Sequence, residues 1–155
     1  MKKLLLVGAI VLGSIGFSTS VLAAINEQQA KDIVKKEVPN GQITKFKLDK
    51  ENGKKVYEIE VMDGSIEKDY EIDAETGAIL KMEQEQKGDK NSNSVDNPKI
   101  SSDKAKEIAL KQSKNGNFKE IELKHKNGVL VYEVEIAEGF MDREFLIDAN
   151  TGEIL

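Results

Sequence analysis

The chain has 155 residues, with 23 Lys and Arg against 28 Asp and Glu, a single His and no Cys. That length admits one domain or two small ones, and the acid excess argues against nucleic acid, whose binding rests on neutralising phosphates with Lys and Arg. With no disulfide available, folding must rest on apolar burial, of which small domains have little to spare.

The first two dozen residues read as an export signal. Lys2 and Lys3 open it, residues 4–17 form an apolar core, Ser18-Thr19-Ser20 is a polar end, and Val21-Leu22-Ala23 offers small residues to a signal peptidase. Cleavage is expected after Ala23, giving a secreted or extracytoplasmic protein of the cell envelope with no membrane insertion once the signal is removed. The alternative is an uncleaved anchor, because no charge appears between Leu4 and Ile25, a span long enough to cross a bilayer. The glycines and the Ser-Thr-Ser break favour cleavage. No cysteine follows the apolar run, which excludes a lipid anchor. Loss of residues 1–23 removes two lysines, so 21 basic and 28 acidic side chains remain, a formal charge of −7.

The mature sequence repeats itself. Shifting it by 75 positions aligns residues 25–80 with 100–155 without a gap, and 22 of the 56 pairs are identical. An uninterrupted match of this length is a duplication of one folding unit. The expected division is a signal over 1–23, a first repeat over 24–85, a polar linker over 86–99 ("QKGDKNSNSVDNPK") and a second repeat over 100–155. In the first repeat Asn26 caps a helix with Gln29 completing a capping box, Ala30, Ile33, Val34 and Val38 face inward, and Pro39 stops the run. In the second, Ser101 or Ser102 caps, Ala105, Ile108, Ala109 and Gln112 share the inner face, and Asn115-Gly116 ends the helix. Lys31, Lys35, Lys36, Lys104, Lys106 and Lys111 are expected on the outer surface.

The period then changes to two. Phe46 and Leu48, then Tyr57, Ile59 and Val61, then Tyr70 and Ile72 alternate with charged residues. "ENGK" supplies a hairpin turn. The second repeat does the same with Ile121 and Leu123, with Tyr132, Val134 and Ile136, and with Phe145 and Ile147. One apolar face per strand means an antiparallel sheet covered on one side. The expected fold class is therefore α+β: two tandem units, each one helix on a sheet of three or four strands, after the signal peptide. "IDAETGAIL" and "IDANTGEIL" close the two units. Asp73, Thr76 and Gly77, like Asp148, Thr151 and Gly152, are read as structural turn residues: Asp accepts from backbone amides ahead of it and Gly supplies a positive φ. One Asp and one Thr per copy are too few oxygens for a calcium cage.

"KKVYEIEV" followed by "YEIDAETGAIL" resembles the PepSY domain (peptidase propeptide and YpeB domain), whose hallmark is a Tyr-x-Val-x-Val-like strand before Asp-Ala-x-Thr-Gly-x-Ile/Leu. The likeness covers both repeats. It implies an α+β module of extracytoplasmic proteins, found in propeptides of thermolysin-like metallopeptidases and in envelope proteins, with a proposed role in inhibiting or regulating peptidases. This sequence carries no His-Glu-x-x-His motif and nothing after Leu155, so any inhibition is expected in trans.

No catalytic or cofactor-binding residue is identified, and no metal site. Thiolate chemistry is absent with cysteine, one histidine cannot build a triad or a histidine-rich zinc site, and His125 in "LKHKNG" reads as a residue beside a turn. The expectation is a non-enzymatic protein without a cofactor that works through a protein partner, either a peptidase or an envelope protein. The alternative is a cell-envelope module that binds or senses a membrane protein or a basic or cationic ligand. Two candidate surfaces follow. Lys45 and Lys47 can lie opposite Glu58 and Glu60, whereas Glu120 and Glu122 replace those lysines in the second repeat. Together with Glu133, Glu135 and Glu144 they form a mutually repelling acidic face that could dock a basic segment, or serve only solubility. The strand after Gly152 is expected to leave a short edge able to accept a strand from another chain.

Overall fold

The computed structural model describes residues 24–87 and 97–155. The signal expected over 1–23 and most of the linker lie outside them. Helix α1 (Glu27–Glu37) starts at Asn26, whose side chain accepts from the Gln29 amide while the Gln29 side chain accepts from the Asn26 amide. Val38 then leaves helical geometry, as a residue preceding proline must. Helix α2 (Ser102–Gln112) is capped by Ser101. It ends short of Asn115-Gly116 because Ser113 turns the chain, its hydroxyl accepting from the Gly116 amide at 2.8 Å. Gln112 accordingly lies exposed rather than on the inner face.

Strands β1 (Gln42–Glu51), β2 (Lys54–Asp63), β3 (Ile66–Asp73) and β4 (Ile79–Gln86) follow α1, and β5 (Asn117–Lys126), β6 (Val129–Glu138) and β7 (Met141–Asp148) follow α2. Strand β4 thus takes Gln86 from the expected linker. The β1–β2 and β5–β6 hairpins close on Asn52-Gly53 and Asn127-Gly128, all four at positive φ (48°, 86°, 52° and 81°), the two-residue turn that matches strand twist.

The separate sheets expected for the two units are a single one. All seven strands join antiparallel in the order β4-β3-β2-β1-β5-β6-β7. The seam pairs Lys45 with Glu122, Phe46 with Ile121 and Lys47 with Glu120. Phe46 and Ile121 are equivalent positions of the two repeats, so the halves meet about an internal pseudo-twofold axis, as two copies meet in an isologous dimer. Both seam strands break register just before it, between Ile43 and Lys45 and between Phe118 and Glu120, so that Ile43 and Phe118 return to the apolar face. Period-two alternation cannot reveal this joining, because an edge strand and a central strand with one wet face carry the same pattern.

Both helices cover one face. Ala30, Val34, Ala105 and Ala109 are buried against Phe46, Tyr57, Ile59, Ile72, Ile121, Tyr132, Val134 and Ile147 in one core that spans the seam. The axis also crosses the helices. Lys31 reaches Asp103 of α2 at 3.0 Å and Glu27 at 2.8 Å, and the equivalent Lys106 pairs with Glu27 of α1. Lys31, expected on the surface, is only 6% exposed. Its ammonium sits 5.2 Å from the Phe46 ring centre, and that of Lys106 sits 4.1 Å from Phe118. Burial works against the Lys31 charge, but Glu27 and Asp103 outweigh it and hold its pKa above the ordinary value.

Candidate functional site

The hallmark residues form a clamp at the start of each helix. Asp73 ends β3 and its Oδ1 accepts from the Glu75 and Thr76 amides, both at 2.8 Å. The Thr76 hydroxyl accepts from the Ala78 amide, and Gly77, at φ 74°, donates to the Asp73 carbonyl. The turn holds Ala74, whose carbonyl accepts from the Ile25 amide, while the Tyr57 hydroxyl donates to the Ile25 carbonyl at 3.0 Å. Ile25 is thereby fixed at both backbone groups immediately before the α1 cap. The second unit repeats every element. Asp148 accepts from Asn150 and Thr151, Gly152 (φ 79°) donates to the Asp148 carbonyl, the Ala149 carbonyl takes the Ile100 amide, and the Tyr132 hydroxyl reaches the Ile100 carbonyl at 3.1 Å.

A Cβ on Gly77 would crowd Ile33, while one on Gly152 would make ordinary contact with Ile108 and Ile100. Amide donors to the carboxylate hold Asp73 and Asp148 below the usual carboxylate range. Burial pushes the Tyr132 phenol up to about 12, so it stays a donor. Five hallmark residues in each repeat, Tyr, Asp, Ala, Thr and Gly, are therefore committed to tying a sheet end to a helix start.

On the face opposite the helices, Glu120, Glu122, Glu133, Glu135 and Glu144 come together with Asp142 around a depression of about 240 Å³. The cluster is not the mutually repelling patch expected. Lys119 binds Glu135 at 2.6 Å and Asp142 at 2.7 Å, Lys124 bridges Glu122 and Glu133, and Lys126 lies between Glu133 and Glu144. Across the seam Lys45 reaches Glu120 at 3.2 Å. These ammonium groups hold Asp142 below its ordinary pKa, and they hold Glu133 low against the opposing effect of burial. Six carboxylates face four lysines, so the depression stays acidic without being bare.

The exchange of Lys45 and Lys47 for Glu120 and Glu122 acquires a structural cause. Pairing about a twofold axis puts equivalent positions nearly opposite one another, so lysine in both copies, or glutamate in both, would set like charges together. Lysine in one and glutamate in the other makes the seam complementary. In β1–β2 the same lysines face Glu60 and Glu58, as the alternation predicts.

At the two ends of the sheet the repeats differ. Strand β3 is flanked by the full-length β4, whereas β7 meets a bridge from Ile154 to Ile147 and a bond from the Leu155 amide to the Leu146 carbonyl. The strand expected after Gly152 is present as this bridge and bond along β7. At the other end of β7 the β6–β7 tip exposes Phe140 completely and Met141 by 75%. Nothing in the alternation marks these two, since the first repeat has Ser65 and Ile66 in their place. His125 is exposed on β5, two residues before the Asn127-Gly128 turn. Among the described residues no group of His, Cys, Asp and Glu is arranged to hold a metal ion, and no helix is long and apolar enough to cross a membrane.

A helix clamped to a one-sided antiparallel sheet through Tyr and Asp-Ala-x-Thr-Gly, built twice, defines a class of tandem α+β modules. The family model described as peptidase propeptide and YPEB domain matches residues 24–83 and again 99–155, and the chain belongs to this PepSY family. It is 32% identical over 139 residues to the uncharacterised protein YkoJ of Bacillus subtilis (strain 168), covering 89% of this chain and 76% of that one. The crystal structure of a candidate lipoprotein from Clostridium difficile 630 superposes with a TM-score of 0.55 at 24% identity, over 88% of this chain and 93% of that one. The Bacillus megaterium YpeB C-terminal domain aligns over 85% of this chain and 96% of its own, with 15% identity and a TM-score of 0.34.

Proposed function

We propose that this chain is an exported, non-enzymatic PepSY module that regulates an extracellular peptidase of the thermolysin-like class in trans, by protein contact. The observation that carries the reading is the double family match on a chain whose hallmark side chains are all consumed by the helix clamp. With those groups internal, the acidic depression is a surface suited to a polypeptide partner. The export reading rests on the basic, apolar and small-residue order of residues 1–23.

The test is inhibition of a purified thermolysin-like metallopeptidase by the chain from residue 24 onward. Loss of peptidase activity that titrates to completion near a one-to-one ratio supports the proposal. Unchanged activity at a large molar excess, across several such enzymes, rejects it. The acidic depression favours a second reading, a cell-envelope module for a basic segment or cation unconnected with peptidases. Cross-linking in cells to a membrane protein, without inhibition of any peptidase, would select that one.

A further inference from the structure

The two ends of the sheet expose different chemistry. Antiparallel pairing brings the β1–β2 turn, the start of β5 and the β6–β7 tip to one end. The first clamp closes that same end, because the Ala74 amide donates to the Lys55 carbonyl and the Ile25 amide to the Ala74 carbonyl. Continuing the registers along the strands sets Asn52-Gly53 level with Gly139-Phe140. Three strand spacings separate these two turns, about 14 Å.

Gly139 and Phe140 are the turn residues between Glu138 and Met141. Such positions ordinarily hold Gly, Asn, Asp or Ser, and the matching turn of the first repeat is Gly64-Ser65. Phe140 and Met141 instead hold apolar side chains out in water. Lys50 and Lys55 stand directly opposite each other on β1 and β2, Lys54 follows the turn, and Lys114 precedes β5. All are exposed, and among the described residues none has a carboxylate partner. Like charges face to face weaken a hairpin, and nothing inside the fold offsets the Lys50–Lys55 pair. In the same turns Glu51 and Glu75 are exposed, whereas Glu138 and Asp142 are held by Arg143 and Lys119, so free lysines outnumber free acids here. At the opposite end His125, Val129 and Leu130 replace Lys50, Lys54 and Lys55, and Lys126 is paired with Glu133 and Glu144.

The chain also enters the fold at this end, since Ile25 is fixed to Ala74 and Tyr57. Residues 18–24 separate Ile25 from the apolar run of 4–17 and span at most about 25 Å fully extended. While that run lies in a bilayer, this end of the sheet is held against it.

We propose that this end docks peripherally on an anionic lipid bilayer, with Phe140 and Met141 in the interfacial zone and Lys50, Lys54, Lys55 and Lys114 against lipid phosphates. Apolar burial and attraction to anionic headgroups are the two terms that hold a protein in the plane of an interface. The acidity of the whole chain opposes this weakly, because charges beyond about 8 Å from the surface are largely screened at physiological salt. Glu135 and Glu144 of the depression stand four residues from the β6–β7 turn, about 13 Å away. A second copy meeting the same end would set these lysines against their equivalents. The proposal places the molecule and does not depend on whether it acts on a peptidase.

The experiment takes the chain from residue 24 onward, which holds every described element and lacks the apolar run, and follows its co-sedimentation with vesicles. Vesicles of three parts phosphatidylcholine to two parts phosphatidylglycerol should bind it at least about tenfold more tightly than phosphatidylcholine alone, and about 1 M salt should weaken that binding. Replacing Lys50, Lys54 and Lys55 by Ala should weaken it about fivefold per lysine. Phe140→Ser with Met141→Ser should weaken it at least about tenfold with an unchanged urea midpoint, since both side chains are exposed. In Phe140→Trp the indole fluorescence should be quenched by lipids brominated on their acyl chains. No binding up to about 1 mM lipid, a range that still detects a dissociation constant of that order, overturns the proposal. Equal binding to both vesicle types, binding indifferent to these substitutions, or an indole that brominated lipid leaves unquenched overturns it as well.

Discussion

Replacing Phe46 by Ala tests whether the two repeats fold as one body. Phe46 is 1% exposed, stands opposite Ile121 across the seam, and lies 5.3 Å from the Tyr57 ring and 6.2 Å from Phe118 of the second repeat. Truncating a buried phenylalanine removes its transfer free energy and leaves a cavity, together about 3–5 kcal/mol. With a urea slope of about 1.5 kcal/mol per M, suitable for a chain of this size, the midpoint should fall by about 2–3 M. A domain holds about 5–15 kcal/mol in all, so the variant should still fold in water or lie close to its threshold. The assay is urea unfolding followed at single amides by NMR. Ile72 reports the first repeat and Ile147 the second, both completely buried. Because Phe46 belongs to a core shared by both repeats, the two midpoints should fall together. A drop at Ile72 with Ile147 unmoved would falsify the claim that the seam couples the halves.

Two further outcomes follow from the charges. Asp73 and Asp148 are held below their ordinary value of 3.8 by backbone amides, so the stability they contribute is complete above that value and is lost as pH falls through their lowered native range. Asp73→Asn with Asp148→Asn keeps the acceptor oxygen and removes the charge, and should flatten the acid limb of the urea midpoint measured against pH; an acid limb as steep as in the parent chain would reject the assignment. Lys45→Glu sets like charges against Glu122, Glu120 and Glu60, and should cost about 1 kcal/mol. Adding Glu120→Lys, which recreates the ion pair across the seam with its signs exchanged, should recover part of it in the same unfolding measurement, and no recovery would remove charge complementarity as a determinant of the seam.

Much of the fold could be read along the chain because its determinants are local. Asn26 with Gln29 places a helix start, Asn52-Gly53 and Asn127-Gly128 place hairpins, and Asp-Ala-x-Thr-Gly places turns, each through bonds spanning a few residues. The acidic face was legible as a list of residues, since Glu120, Glu122, Glu133, Glu135 and Glu144 do share one side. Its cations were not, because Lys45 reaches it from the other repeat and Lys119 by way of a bulge. Lys31 was misplaced for a related reason. Helical periodicity puts it on an outer stripe, and only the neighbouring helix turns that stripe into an inner one.

The sequence by itself determined a duplicated unit, the type and order of its elements, and the family to which it belongs. These rest on periodicity, capping and turn chemistry, which act between near neighbours. The tertiary structure decided that two three-dimensional copies share one sheet and that a lysine-for-glutamate exchange belongs to their junction. Those are contacts between positions about 75 residues apart, and no local pattern carries them, because a strand's alternation records which face is dry and says nothing of which strand lies beside it.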